Sequence, residues 1–187
     1  MSKILVISCE TTGFSHNFDI TKTNSGYYQP ISWGLVVIDH DFNVIDQTYV
    51  EVKWDTKAMW DKKAQSVHGL TIEHLQANGL YELQAVEEIG SFIFDHFKNM
   101  PVCIMGYNTN FAIDFLNAMF TKYGVQLKFD HKVYDLNTIG FTLLGCNKKS
   151  EIFEILGIKS KKRNALTTSN NIIKCFKTIK NLWNTFS

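Results

Sequence analysis

Four aliphatic residues, Ile4-Leu5-Val6-Ile7, run without a break into the polar stretch Ser8-Cys9-Glu10-Thr11-Thr12-Gly13. An apolar run this short is far below the length of a membrane span, and its bounding turn residues favour a buried strand. The carboxyl end of such a strand is where layered α/β sheets deliver side chains to a site. Lys3–Ser8 therefore reads as the centre of a sheet, with Glu10 and its neighbours at the sheet's functional end.

The remaining pattern supplies the layers around that strand. Ile31 to Ile38 and Val44 to Val52 are β-branched and aromatic runs separated by Asp39-His40-Asp41, which predicts a hairpin added antiparallel to the first strand. Phe14 to Tyr28, rich in Asn, Thr and Ser, reads as an extended surface loop. From Glu82 to Lys98 the apolar residues Leu83, Val86, Ile89, Ile93 and Phe97 recur at helical spacing, and Pro101 stops the pattern. A short strand at Val102–Met105, a helix from Phe111 to Tyr123 closed by Gly124, and a further strand near Val125 come next. A serine-capped helix from Ser150 to Leu156, ending at Gly157, and a final helix from Asn164 to Trp183 complete the chain. The expected fold is a mixed five-stranded α/β sheet with helices on both faces.

At 187 residues and 45% hydrophobic content, with two prolines, the composition suits one domain over residues 1–187. No signal-peptide pattern is visible, and the expectation is a soluble, cytoplasmic protein with no membrane contact. Cysteines 9, 103, 146 and 175 are scattered without Cys-x-x-Cys spacing or matching histidines, so free thiols rather than a zinc site are expected.

Five segments occur in an informative order. Ser8-Cys9-Glu10-Thr11-Thr12-Gly13 comes first, then Val67-His68-Gly69-Leu70-Thr71, then Gly106-Tyr107-Asn108-Thr109-Asn110-Phe111. Tyr134-Asp135-Leu136 and Arg163-Asn164-Ala165-Leu166-Thr167-Thr168 follow. In that order they resemble motifs of the DnaQ-like (DEDD, His-type) 3'-5' exonucleases of the ribonuclease H-like superfamily, over nearly the whole chain. The resemblance implies a ribonuclease H-like sheet and a single exonuclease-like domain.

It also implies a defective catalytic centre. Members of that family hold two divalent metals about 4 Å apart on four carboxylates, with a histidine as general base. The matching positions here are Ser8, Glu10, Ala112 and Thr168 for the carboxylates and Arg163 for the histidine. Only Glu10 is a carboxylate, and an arginine cannot accept a proton at working pH. No catalytic residue, bound metal or cofactor is expected. Divalent metal would enter only if other carboxylates rewired the site. Asp114 falls on a different helix face from Ala112, and Asp19 belongs to a long loop.

Several residues admit two readings. Arg163 either pairs with Glu10 or an incoming phosphate, or joins Lys159, Lys161 and Lys162 in a solvated basic loop. Tyr107 either stacks on a base or is a half-buried core residue, and His68 either approaches a terminal nucleotide or organises the turn before Gly69. From Lys148 onward nine Lys and Arg residues face two acids, whereas the rest of the chain carries ten against sixteen. That asymmetry points to an anionic partner for the C-terminal part. The leading expectation is a pseudoenzyme that binds RNA or DNA through Thr11, Thr12, Tyr107, Asn108, Lys159, Lys161, Lys162 and Arg163, alone or inside a ribonucleoprotein or a replication or transcription complex. The alternatives are a protein-binding adaptor and a metal-dependent 3'-5' exonuclease with rewired ligands.

Overall fold

A computed structural model of the chain describes residues 3–14, 27–159 and 164–186. Strand β1 (Ile4–Thr11) lies in the middle of a five-stranded sheet. Strands β2 (Pro30–Ile38) and β3 (Val44–Glu51) add antiparallel on one side, giving the predicted hairpin. On the other side β4 (Val102–Gly106) and β5 (Phe129–Asp135) run parallel to β1, so the order is β3-β2-β1-β4-β5.

Burial explains the centre of this sheet. Leu5, Val6 and Ile7 are shielded on both faces, as is β2 from Ile31 to Ile38. Side chains alternate along β1, so Leu5 and Ile7 enter one core and Ile4 and Val6 the other. The first core is roofed by α3 (Glu82–Phe97) and α4 (Thr109–Thr121), through Ala85, Ile89, Ile93, Phe115, Leu116 and Phe120. The second is roofed by α5 (Leu136–Ile139), a π-helical turn Gly140–Leu144, α6 (Lys149–Ile155) and α7 (Ala165–Phe186), through Leu136, Ile152, Ile172 and Phe176.

Two short helices were not foreseen. Helix α1 (Lys62–His68) begins where Asp61 accepts a hydrogen bond from the Lys63 amide, and it closes on Gly69 in the left-handed region. Helix α2 (Ile72–Asn78) begins where Thr71 accepts from the His74 amide. Each buries only one or two side chains, so neither carries an apolar stripe long enough to announce itself.

Two other expectations need correction. The strand placed near Val125 lies further on, at Phe129–Asp135. It is an edge strand with Asp130, His131 and Lys132 in its middle, which hides it from a hydrophobicity pattern. Ser150 does not cap α6. The helix starts one residue earlier, at Lys149, and Lys148 occupies the cap position without a side-chain bond.

Gly34 decides how α7 docks. A methyl group at Gly34 would lie 2.2 Å from the backbone carbon of Ala165 and from the Leu166 nitrogen. The first turn of α7 therefore rests directly on β2, fastened by the Ser169 hydroxyl donating to the Gly34 carbonyl at 2.8 Å. Gly34 is the register partner of Ser8, so this contact carries the start of α7 toward the functional end of β1.

Candidate functional site

The carboxyl ends of the three parallel strands β1, β4 and β5 lie side by side, and α4 and α5 start at that same end. In an α/β sheet this is the side where ligands bind. The pairing of Val6 with Met105 brings β4 alongside β1, so Tyr107 follows β4 at about the level of Ser8. Pairing with β2 is disturbed between Glu10 and Thr11, where the register shifts. Irregularities of this kind re-aim side chains next to active sites.

Asp135 organises the helical side of the site. One carboxylate oxygen accepts from the amides of Asn108 and Asn137, at 3.2 and 2.7 Å, and the other accepts from the Thr109 amide at 2.6 Å. A single side chain thus satisfies orphan amides of two helices, α4 and α5. Asn108 is held at φ 53°, a left-handed conformation that asparagine tolerates better than most residues.

Ser8 is buried and Glu10 half-buried on the α7 side of β1. Burial raises the Glu10 carboxyl above its ordinary value, and the charge of Lys149 opposes that rise. Burial first, and the Glu10 charge second, also hold the neighbouring Cys9 thiol protonated, so Cys9 is no nucleophile. Lys149 is the first residue of α6 and is half-buried. Its ammonium lies 6.0 Å from the centre of the Tyr107 ring, a cation–π geometry. The Tyr107 hydroxyl donates to the Asn147 carbonyl and so ties the segment that carries Lys149 to the end of β4.

Ala112 lies in the first turn of α4, buried in the core on the opposite face of the sheet from Ser8 and Glu10. Thr168 lies half-buried in the first turn of α7. Asp114 points to solvent from α4. Arg163, Lys161, Lys162 and Asp19 lie outside the described residues. Among the described residues no group of three or more His, Cys, Asp or Glu side chains gathers closely enough to hold a metal ion. A serine, an alanine and a threonine with one glutamate do not fit a two-metal centre, and the positive charge of Lys149 acting on that glutamate fits it less.

The proposed contact residues fall into different environments. Thr11 and Thr12 are buried and committed. The Thr11 hydroxyl donates to the Gly13 carbonyl at 2.8 Å, and the Thr12 hydroxyl accepts from the Gln29 amide at 2.9 Å. Their side chains close the turn after β1. Asn108 and Lys159 are exposed, and Tyr107 is half-buried with its hydroxyl engaged. The basic C-terminal part is also partly engaged within the fold. Lys148 pairs with Glu151, and Lys180 pairs with Asp41 and donates to the His40 carbonyl. Lys174 and Lys177 are exposed on α7.

His68 organises its turn, accepting from the Leu70 amide at Nδ1. Its ring meets Trp60 edge-on at 5.9 Å, and burial lowers its pKa, so it is neutral near pH 7. A depression of about 330 Å³ at the β3 edge is lined by Tyr49, Glu51, Asn78 and Glu88 among others.

Two features of the site were not foreseen. Lys149 was one of nine C-terminal cations with nothing to single it out, and only the packing of α6 near Tyr107 selects it. Phe14 was assigned to a loop. It is 60% exposed just beyond the end of β1, with its ring 6.3 Å from Phe111, which in turn packs on Phe115 at 4.8 Å.

No protein-family model matches the chain, and neither does any curated protein sequence. Solved structures do. Escherichia coli exonuclease I in complex with a dA16 oligonucleotide superposes with a TM-score of 0.74 at 20% identity, over 97% of this chain and 41% of that one. The same enzyme with a dT13 oligonucleotide gives a TM-score of 0.76 at 19% identity, over 99% and 43%. A product-bound exonuclease I gives 0.74 at 20%, over 96% and 43%. The chain spans about two fifths of the length of these structures. What they share with it is the fold: this chain has the ribonuclease H-like mixed five-stranded sheet of the part of exonuclease I that it matches.

Proposed function

We propose that this protein binds single-stranded nucleic acid without hydrolysing it. One observation carries the reading. At the carboxyl end of the sheet the four motif positions hold a single carboxylate, Glu10, and among the described residues no group of three or more His, Cys, Asp or Glu side chains gathers to hold a metal ion. The solved structures that share the fold include complexes with DNA oligonucleotides, which supports nucleic acid as the ligand class. Exposed Phe14 offers a stacking surface at the same end of the sheet, and exposed Lys159, Lys174 and Lys177 supply positive charge.

The test has two parts. A 5'-labelled single strand, DNA or RNA, is mixed with protein and magnesium or manganese, and products are resolved by length. No shortening above that of a Glu10→Gln control is expected. Metal-dependent shortening that Glu10→Gln abolishes would establish a working nuclease instead. The same strands, read by fluorescence anisotropy, should bind with an affinity that falls steeply with salt.

Phe141 and Leu143 on the π-helical turn are 68% and 58% exposed, and they favour a second reading, docking onto a protein. Salt-insensitive association with a protein partner, without oligonucleotide binding, would select it.

A further inference from the structure

We infer that Lys149 and Tyr107 form a metal-independent seat for one phosphate of the bound strand, at the carboxyl ends of β1 and β4. The inference rests on the nucleic-acid reading above and adds the contact that defines it. Tyr107 follows β4 beside the end of β1, and its ring lies 6.0 Å from the Lys149 ammonium. Its hydroxyl bond to the Asn147 carbonyl fixes the backbone that presents that ammonium. Asn108 and Thr109 follow in the chain, both held by Asp135, so the Tyr107 side of the seat stands on a rigid helix start.

The chemistry differs from a metal site in a way that can be measured. Glu10 would be a ligand to a divalent ion, and removing its charge would weaken anything that ion holds. Here the charge of the same carboxylate acts against that of the Lys149 ammonium and lowers the attraction the ammonium exerts on a phosphate. Neutralising Glu10 should therefore tighten phosphate binding here and loosen it at a metal centre. The sign of one substitution separates the two.

The experiment uses the full chain and a 5'-fluorescein oligothymidine strand in EDTA, read by anisotropy across a salt series. Wild type is expected to bind in EDTA. Lys149→Gln should weaken binding about tenfold and reduce the slope of log K against log salt by about 0.7, the share of one phosphate on a single strand. Lys149→Arg should keep the wild-type slope, and Glu10→Gln should tighten binding severalfold. Tyr107→Phe keeps the ring and loses the tether, and an affinity between those of wild type and Lys149→Gln is expected. Thermal melts of each variant establish that it is folded.

An unchanged slope in folded Lys149→Gln overturns the seat while leaving nucleic-acid binding intact. Binding that EDTA abolishes, or that Glu10→Gln weakens, overturns it in favour of a metal. Wild-type protein that binds neither this strand nor its RNA counterpart overturns the proposed function itself.

Discussion

Replacing Asp135 by alanine tests whether the end of the sheet is held together by one carboxylate. Three backbone amides lose their acceptor in that variant, those of Asn108, Thr109 and Asn137. They do not contribute equally. Asn108 is exposed, and water can replace the carboxylate there at little cost. Thr109 is fully buried, so its amide is left without an acceptor, at about 1–3 kcal/mol. The Asn137 amide belongs to the first turn of α5, and losing its side-chain cap costs about 1 kcal/mol. The favourable placement of a negative charge at two helix starts adds several tenths of a kcal/mol. Together these give a loss of about 3 kcal/mol.

For a chain of 187 residues, a loss of that size lowers Tm by about 6–12 °C. Asp135→Asn should lose nearly as much. The carboxylate uses both oxygens as acceptors, so an amide in either orientation turns an N–H toward a backbone N–H. Urea unfolding followed by circular dichroism, with the slope m unchanged, measures the loss directly. A loss under about 0.5 kcal/mol for the alanine variant, or an asparagine variant as stable as wild type, would refute the double-cap account.

Gly34→Ala should destabilise by about 3 kcal/mol, the upper end for overpacking, because the added methyl meets the α7 backbone and not a flexible side chain; denaturant unfolding reads it. Phe115→Ala removes a fully buried ring and should lose about 3–5 kcal/mol in the same assay. Glu10→Gln should stabilise the protein at neutral pH. Burial raises the Glu10 carboxyl above its ordinary value of 4.5, so the native state holds its proton more tightly than the unfolded chain. Wild-type stability should then fall as pH rises from the unfolded value through the folded one, and the advantage of Glu10→Gln should vanish below about pH 4. An advantage that persists unchanged at lower pH would refute this assignment.

The central strand, the hairpin and the long helices were legible because each has an apolar pattern of the right period. Ile4–Ile7 and Ile31–Ile38 are shielded on both faces, and α3 and α7 carry continuous stripes. The elements that were missed or misplaced lack such a pattern. Helices α1 and α2 are seven residues long and depend on Asp61 and Thr71 as caps, and β5 is a polar edge strand. The order of the motifs is what placed Ser8, Ala112 and Thr168 opposite carboxylates of the family that the sequence resembles.

Which other side chains gather at that end of the sheet was a tertiary matter. Helix periodicity said nothing of Lys149, which reaches the site because Ile152, one turn further along α6, packs into the core shared with Val6 and Met105. Asp135 looked like a motif match, yet its bonds reach back to the start of α4 as well as forward into α5. The Thr11 and Thr12 hydroxyls meet the Gly13 carbonyl and the Gln29 amide, partners that only the folded turn brings to them. Local patterns determine which segments become strands and helices, because backbone geometry and burial act over a few residues. Which cation acts on the half-buried Glu10 carboxylate is decided when the sheet brings distant segments to one end, and no short-range pattern encodes that distance.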